Sequence, residues 1–163
     1  MKNKLSSAFT LVELLIVIAI IGVLATVLLV SINPLEAQRK ARDAQRLRDM
    51  STLQGAMDSF IGEGNSLGST NKNVSANSSS PKACSSNWTG YNLCSYLRTV
   101  PVPPNDSNLY HLFTTTNNTY ELLTKFESLS NDTRLTSDGG NSTAYYELGD
   151  TTLTPTPNLT PVP

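Results

Sequence analysis

The chain has 163 residues, with 12 Lys and Arg against 13 Asp and Glu, for a formal net charge of −1. That length is one domain with at most an appended segment, and the near-neutral balance gives no basic field for binding nucleic acid. One His and two Cys are fewer soft ligands than a zinc finger or ribbon gathers.

These averages conceal two compositions. Residues 1–62 hold seven Lys/Arg, five Asp/Glu and the one long apolar run, whereas residues 63–163 hold five and eight, and 43 of those 101 residues are Asn, Ser or Thr. Any soluble head built from them is small and loop-rich.

From Phe9 to Val30, 18 of 22 residues are apolar, the exceptions being Thr10, Glu13, Gly22 and Thr26. A helix of that length spans roughly 30 Å, the thickness of a bilayer's hydrocarbon core. Lys2 and Lys4 ahead of it resemble the n-region of a secretory signal. The run, however, outlasts the ~7–15 residues of a usual signal core and ends without a small-x-small cleavage site. Five Lys/Arg follow it (Arg39, Lys40, Arg42, Arg46, Arg48) against two before it, which places the C-terminal part in the cytoplasm by charge bias. The cysteine pair and the Asn/Ser/Thr-rich composition argue for the outside instead, so composition alone leaves the orientation open. Glu13 is the anomaly of the run: a carboxylate in hydrocarbon costs several kcal/mol unless neutralised or paired. It is either a functional acid or a group near the membrane surface that reaches water.

Lys2-Asn3-Lys4-Leu5-Ser6-Ser7-Ala8 followed by Phe9-Thr10-Leu11-Val12-Glu13-Leu14-Leu15-Ile16-Val17-Ile18-Ala19-Ile20-Ile21 closely resembles the class III signal and N-terminal helix of type IV pilins and pseudopilins. The resemblance implies that a prepilin peptidase cuts between Ala8 and Phe9 and that Phe9 is then N-methylated. It further implies that the N-terminus is cytoplasmic and the head emerges outside. Glu13 matches the family's glutamate, whose carboxylate pairs with the new Phe9 amine of its own or a neighbouring subunit. Such a pair sets axial register more than it adds stability, while packed apolar helix faces hold a filament together. Ala8 departs from the Gly the family prefers before the cut. Related pilins carry a Gly and a Pro that let the helix loosen on assembly, and Gly22 and Pro34 stand in for them here, with Pro34 later than usual.

Asn33-Pro34 reads as a helix interruption or a fresh start, Asn suiting the N-cap and Pro the first helical position. Residues 35–61 read as an amphipathic helix, with Ala37, Ala41, Ala44, Leu47, Met50, Leu53, Met57, Phe60 and Ile61 forming one apolar stripe. Arg39, Lys40, Arg42, Asp43, Arg46, Arg48 and Asp49 are assigned to a solvated face with pairs such as Arg39–Asp43, in preference to a surface for nucleic acid or anionic lipid. Gly62-Glu63-Gly64-Asn65 ends the helix. Residues 64–82 read as loop. Cys84 and Cys94 are expected to form a disulfide stapling the stretch around Trp88. A catalytic Cys–His111 pairing has no nucleophile motif behind it. Tyr91–Arg98 is a candidate short helix, and Leu109–Thr114, Thr119–Glu127 and Ala144–Leu148 are strand-like, with Asn117-Asn118 as a hairpin turn. Along the second run Tyr120, Leu122, Thr124 and Phe126 share one face.

The expected fold is α+β and pilin-like: a long N-terminal helix, its second half packed on a small antiparallel sheet. The parts are a leader at 1–8, a transmembrane and assembly helix at 9–32, an amphipathic helix at 33–62, a head at 63–150 and a Thr/Pro-rich tail at 151–163. Asp132, Asp138 and Glu147 near Gly139-Gly140 invite a calcium loop, though their spacing fits no strict pattern and a polar turn is preferred. No other cofactor or metal is expected. Eight Asn-x-Ser/Thr sequons (Asn73, Asn77, Asn87, Asn105, Asn117, Asn131, Asn141, Asn158) are candidate glycan acceptors, several of them expected by chance in so polar a region. The tail is either an O-glycosylated stalk or a plain extended terminus.

The sequence is expected to be a non-enzymatic pilus subunit, made as a plasma-membrane precursor and ending in an extracellular filament. Its partners would be copies of itself, prepilin peptidase and an assembly platform. The alternatives are a pseudopilin of a secretion or competence filament, and a membrane-anchored extracytoplasmic binding protein that never polymerises.

Overall fold

The computed structural model describes residues 9–31, 33–70 and 72–150. Its elements in chain order are α1 (Leu11–Ser31), α2 (Pro34–Gly62), β1 (Lys72–Ala76), β2 (Lys82–Ala83), β3 (Ser86–Asn87), β4 (Tyr110–Thr114), β5 (Tyr120–Thr124), a 3-10 turn (Leu129–Asn131), α3 (Asp132–Leu135) and β6 (Tyr146–Gly149). The chain divides into two compact units, Met1–Ala37 and Gln38–Pro163.

In the first unit α1 runs uninterrupted through Gly22 to Ser31. Asn33-Pro34 proves to be a fresh start. The Asn33 side-chain oxygen accepts from the Glu36 N–H at 3.2 Å, and the Asn33 carbonyl accepts from the Ala37 N–H at 3.1 Å. Pro34 takes the first helical position, where its missing N–H leaves nothing unpaired.

In the second unit β1, β4, β5 and β6 form one antiparallel sheet in the order β1-β4-β5-β6. One rung, Val74–Leu112–Leu122–Leu148, crosses all four strands. Its central Leu112 and Leu122 join Met50, Leu53 and Met57 of α2 in a core that also takes Trp88, Tyr91 and Leu93 from the intervening loop. Two tyrosines fix the helix to the sheet. Tyr110 donates its hydroxyl to Asp49 at 2.7 Å, and Tyr120 donates to Asp58 and to the Gln54 carbonyl. Period-two alternation therefore puts Tyr120, Leu122 and Thr124 toward the helix, as expected. The hairpin turn falls at Thr115–Thr119, with Asn118 at φ 63°, a left-handed conformation that Asn tolerates better than most residues. Its amide also reaches back to the Leu67 N–H and the Asn65 carbonyl. After α2, Gly64 (φ 84°) and Asn65 return N–H groups to the Ile61 and Phe60 carbonyls, a Schellman stop.

Three expectations are corrected. Residues 72–76, read as loop, form the edge strand β1, whose one buried residue, Ala76, leaves no apolar alternation to read. Tyr91–Arg98 makes a turn rather than a helix: the Cys84–Cys94 bond and the Leu93 N–H to Cys84 carbonyl bond hold its start. Third, the buried row of α2 does not follow the alanines. Ala41 and Ala44 are exposed while Asp43 and Arg46 are fully buried, continuing the row Met50–Leu53–Met57 back by steps of three and four.

Candidate functional site

The apolar run folds as one helix with nothing covering it. Leu11–Leu28 is long and apolar enough to cross a membrane, with a mean hydropathy of 2.9. Its large side chains are exposed all round, from 45 % at Val17 to 75 % at Leu11. A helix apolar on every side is stable only inside lipid or among similar helices.

The polar residues of the run are nearly all self-satisfied. Thr10 and Glu13 form a capping box. The Glu13 carboxylate accepts from the Thr10 backbone N–H and hydroxyl, each at 2.9 Å, and the Glu13 N–H donates to the Thr10 hydroxyl oxygen at 3.3 Å. Donors that every helix start leaves orphaned are thereby paired without water, and the negative charge sits at the positive end of the helix dipole. The Thr26 hydroxyl donates to the Gly22 and Val23 carbonyls, so it too needs no partner from lipid. Glu13 thus has a local partner that the expectation of a lone intramembrane acid did not include. The spacing Thr-x-x-Glu was the signal for it. Ala8 lies outside the described residues, and Phe9, the first described, is 81 % exposed. Gly22 has open space around its Cβ direction.

In the head, Cys84 and Cys94 are bonded, which excludes a free thiol for pairing with His111. Behind α2 lies an ionic cluster where a solvated face was expected. Arg46 donates to Asp43 at 2.9 Å, to Glu127 at 2.6 Å and to the Asn105 side-chain oxygen at 2.9 Å. Arg42 adds a forked contact to Glu127. Asp43 also accepts from the backbone N–H groups of Glu127 and Ser128 and from the Asn131 amide. The bonds from Arg42 foremost, with those from Arg46 and the Asn105 amide, hold the Glu127 carboxyl down at about 2. Nothing in the periodicity of α2 marks this cluster, because its partners lie some eighty residues further along.

Of the suggested calcium trio, Asp138 and Glu147 meet, the Glu147 N–H donating to Asp138 at 3.0 Å. Asp132 stands exposed at the start of α3. Among the described residues no three His, Cys, Asp or Glu side chains converge as a metal site would need. Glu147 faces buried Glu121, whose two oxygens, with Oε1 of Glu147, have no hydrogen-bond partner. Burial, and then the charge of Glu147, push Glu121 up to about 8.

The sequons separate by what their amides do. Asn73, Asn117 and Asn141 are exposed. Asn87 donates its amide to the Cys84 and Tyr91 carbonyls, Asn105 to Glu127 and Asn131 to Asp43. Asn77 is half-buried and Asn158 lies outside the described residues.

Comparison with protein families matches residues 3–29 to the prokaryotic N-terminal methylation motif. No curated protein and no solved structure gives a match. Residues 3–29, capped helix start included, therefore carry the class III signal motif of type IV pilins and pseudopilins, which supports a pilin-like or pseudopilin-like substrate of prepilin peptidase.

Proposed function

We propose that the chain is a structural subunit of a type IV pilus-like filament, with no catalytic role. The precursor sits in the plasma membrane through α1, with its N-terminus in the cytoplasm. Prepilin peptidase cuts between Ala8 and Phe9, and Phe9 is methylated. An assembly platform then draws the subunit into an extracellular homopolymer whose core is packed α1 helices. The observation that carries this reading is the exposure of every described apolar side chain from Leu11 to Leu28. An apolar surface of that extent has to be covered by lipid before assembly and by neighbouring helices after it.

Within the filament the capping box has a second use. Cleavage frees an α-amine on Phe9, one residue from the Thr10 N–H that Glu13 already holds. Exchanging one of these bonds for the amine of a neighbouring subunit keeps the carboxylate satisfied throughout. Loosening of α1 between Gly22 and Pro34 belongs to the same step. Gly in a helix interior costs about 1 kcal/mol against Ala, so the helix yields there first.

Mass spectrometry of the mature protein tests the reading. The expected N-terminus is methylated Phe9, and an intact Met1 or a cut near Val30 overturns it. The same motif supports a pseudopilin of a secretion or competence filament. Long fibres containing this chain on cells at native expression decide for the pilus.

A further inference from the structure

One end of the four-stranded sheet carries an open pocket of about 510 Å³, within the ~300–1,000 Å³ of ordinary ligand sites. The antiparallel order brings the start of β4, the end of β5 and the approach to β6 together there. His111 and Lys125 lie on the sheet face turned away from α2.

The pocket holds one cation, Lys125, and one carboxylate, Asp106, which are not paired with each other. The Lys125 ammonium sits 4.7 Å above the centre of the Tyr145 ring and enters no ion pair among the described residues. His111, only 3 % exposed, packs edge-on to the same ring at 6.2 Å, and its Nδ1 has no partner. Burial, and then the nearby Lys125 charge, push His111 down to about 4, so at neutral pH the imidazole is an uncharged group with one donor and one acceptor nitrogen. Asp106, held by the Ser78 N–H at 2.8 Å, adds an acceptor, and Asn108 adds an amide with both senses. Leu109 is the only aliphatic side chain on the wall. A single aromatic ring, one unpaired cation and hydrogen-bonding groups of both senses match a sugar ring that carries an acid.

We propose that this pocket binds a carboxylated sugar of the uronic-acid class, its carboxylate on Lys125, its ring against Tyr145 and its hydroxyls on Asp106, Asn108 and His111. A filament built from this subunit then presents one such site per copy to acidic polysaccharide.

The test titrates the full chain in detergent micelles with galacturonate, galactose and acetate, read by saturation-transfer NMR. Galacturonate is expected to bind about ten-fold more tightly than galactose, the size of one charge-assisted contact, and acetate is expected to compete poorly. Lys125→Met is expected to remove the preference, Lys125→Arg to keep it, and Tyr145→Ala to weaken both sugars. Trp88 fluorescence confirms that each variant remains folded. Equal binding of the two sugars, acetate competing as well as galacturonate, a preference that survives Lys125→Met, or no binding by any probe overturns the proposal.

Discussion

Glu13 and Thr10 close on one another through three hydrogen bonds, two of them received by the carboxylate at 2.9 Å. An acid that looks isolated in an apolar run is therefore already paired before any subunit meets another. The cost of carrying it through the membrane is reduced accordingly, and its charge is aimed at the helix start, where the Phe9 amine appears on cleavage.

Separate effects follow for the two residues. Glu13→Ala removes both the cap and the partner for the amine, so membrane insertion should persist while filaments disappear. Thr10→Val removes only the hydroxyl, at about 1 kcal/mol for a lost cap, so filaments should form in reduced yield. Membrane fractionation and electron microscopy of surface fibres check both. Normal fibres from Glu13→Ala would show that the carboxylate has no part in assembly.

The Asp43–Arg46–Glu127 cluster ties α2 to the segment after β5, and Arg46 is its only fully buried cation. Arg46→Ala leaves the buried Asp43 carboxylate without its cation and Glu127 with Arg42 alone, and should cost about 3–5 kcal/mol, read by Trp88 fluorescence during denaturation. Acid should act on the same cluster. Glu127 lies at about 2 in the folded chain against an ordinary 4.5, so its contribution is complete above the ordinary value and is lost as pH falls through 2. Glu127→Gln should lower stability at pH 7 and leave a shallower acid limb.

Glycan attachment needs a side-chain amide that is free to react. The amides of Asn87, Asn105 and Asn131 are committed to carbonyls or carboxylates, whereas Asn73 and Asn117 face solvent. Glycopeptide mapping of native filaments should place any Asn-linked sugar on Asn73 or Asn117 in preference to Asn87, Asn105 and Asn131. Substituting Asn131 or Asn105 by Gln should instead lower stability, through the ionic cluster. Sugar found on Asn87 would mean that the disulfide loop opens before folding is complete.

What could be read from the chain follows from range and periodicity. Met50, Leu53 and Met57 declare themselves because helical spacing repeats every turn, and Tyr120 and Leu122 because strands alternate. Asp43 and Arg46 occupy the same helical row but are polar, and partners far along the chain, Asn105, Glu127, Ser128 and Asn131, make their burial tolerable. β1 stayed hidden for a different reason. An edge strand buries little, and Lys72-Asn73-Val74-Ser75-Ala76 has the composition of a loop. The α1 helix was legible in full except for Thr10, whose capping spacing stands beside a more conspicuous acid.

Glu121 supplies the opposite pH dependence to Glu127. It is a diagonal neighbour of Glu147 across β5 and β6, both are buried, and three of their four oxygens lack a partner. One shared proton relieves this by turning a carboxylate into a donor for the other. With Glu121 raised to about 8 from an ordinary 4.5, the folded chain holds that proton where the unfolded chain has released it. Its favourable effect is therefore complete below the ordinary value and is lost as pH rises through 8. Glu121→Gln keeps a donor and cannot ionise, so the variant should overtake the wild type as pH rises, by on the order of 2 kcal/mol at pH 9. Thermal melts of both proteins from pH 5 to 9 check this. Calcium gives the discriminating arm. On proton sharing, adding it at pH 8 leaves the wild-type midpoint unchanged. A rise that Glu121→Gln abolishes would make the pair cation ligands instead, because a divalent ion answers the same three unpaired oxygens that a proton does.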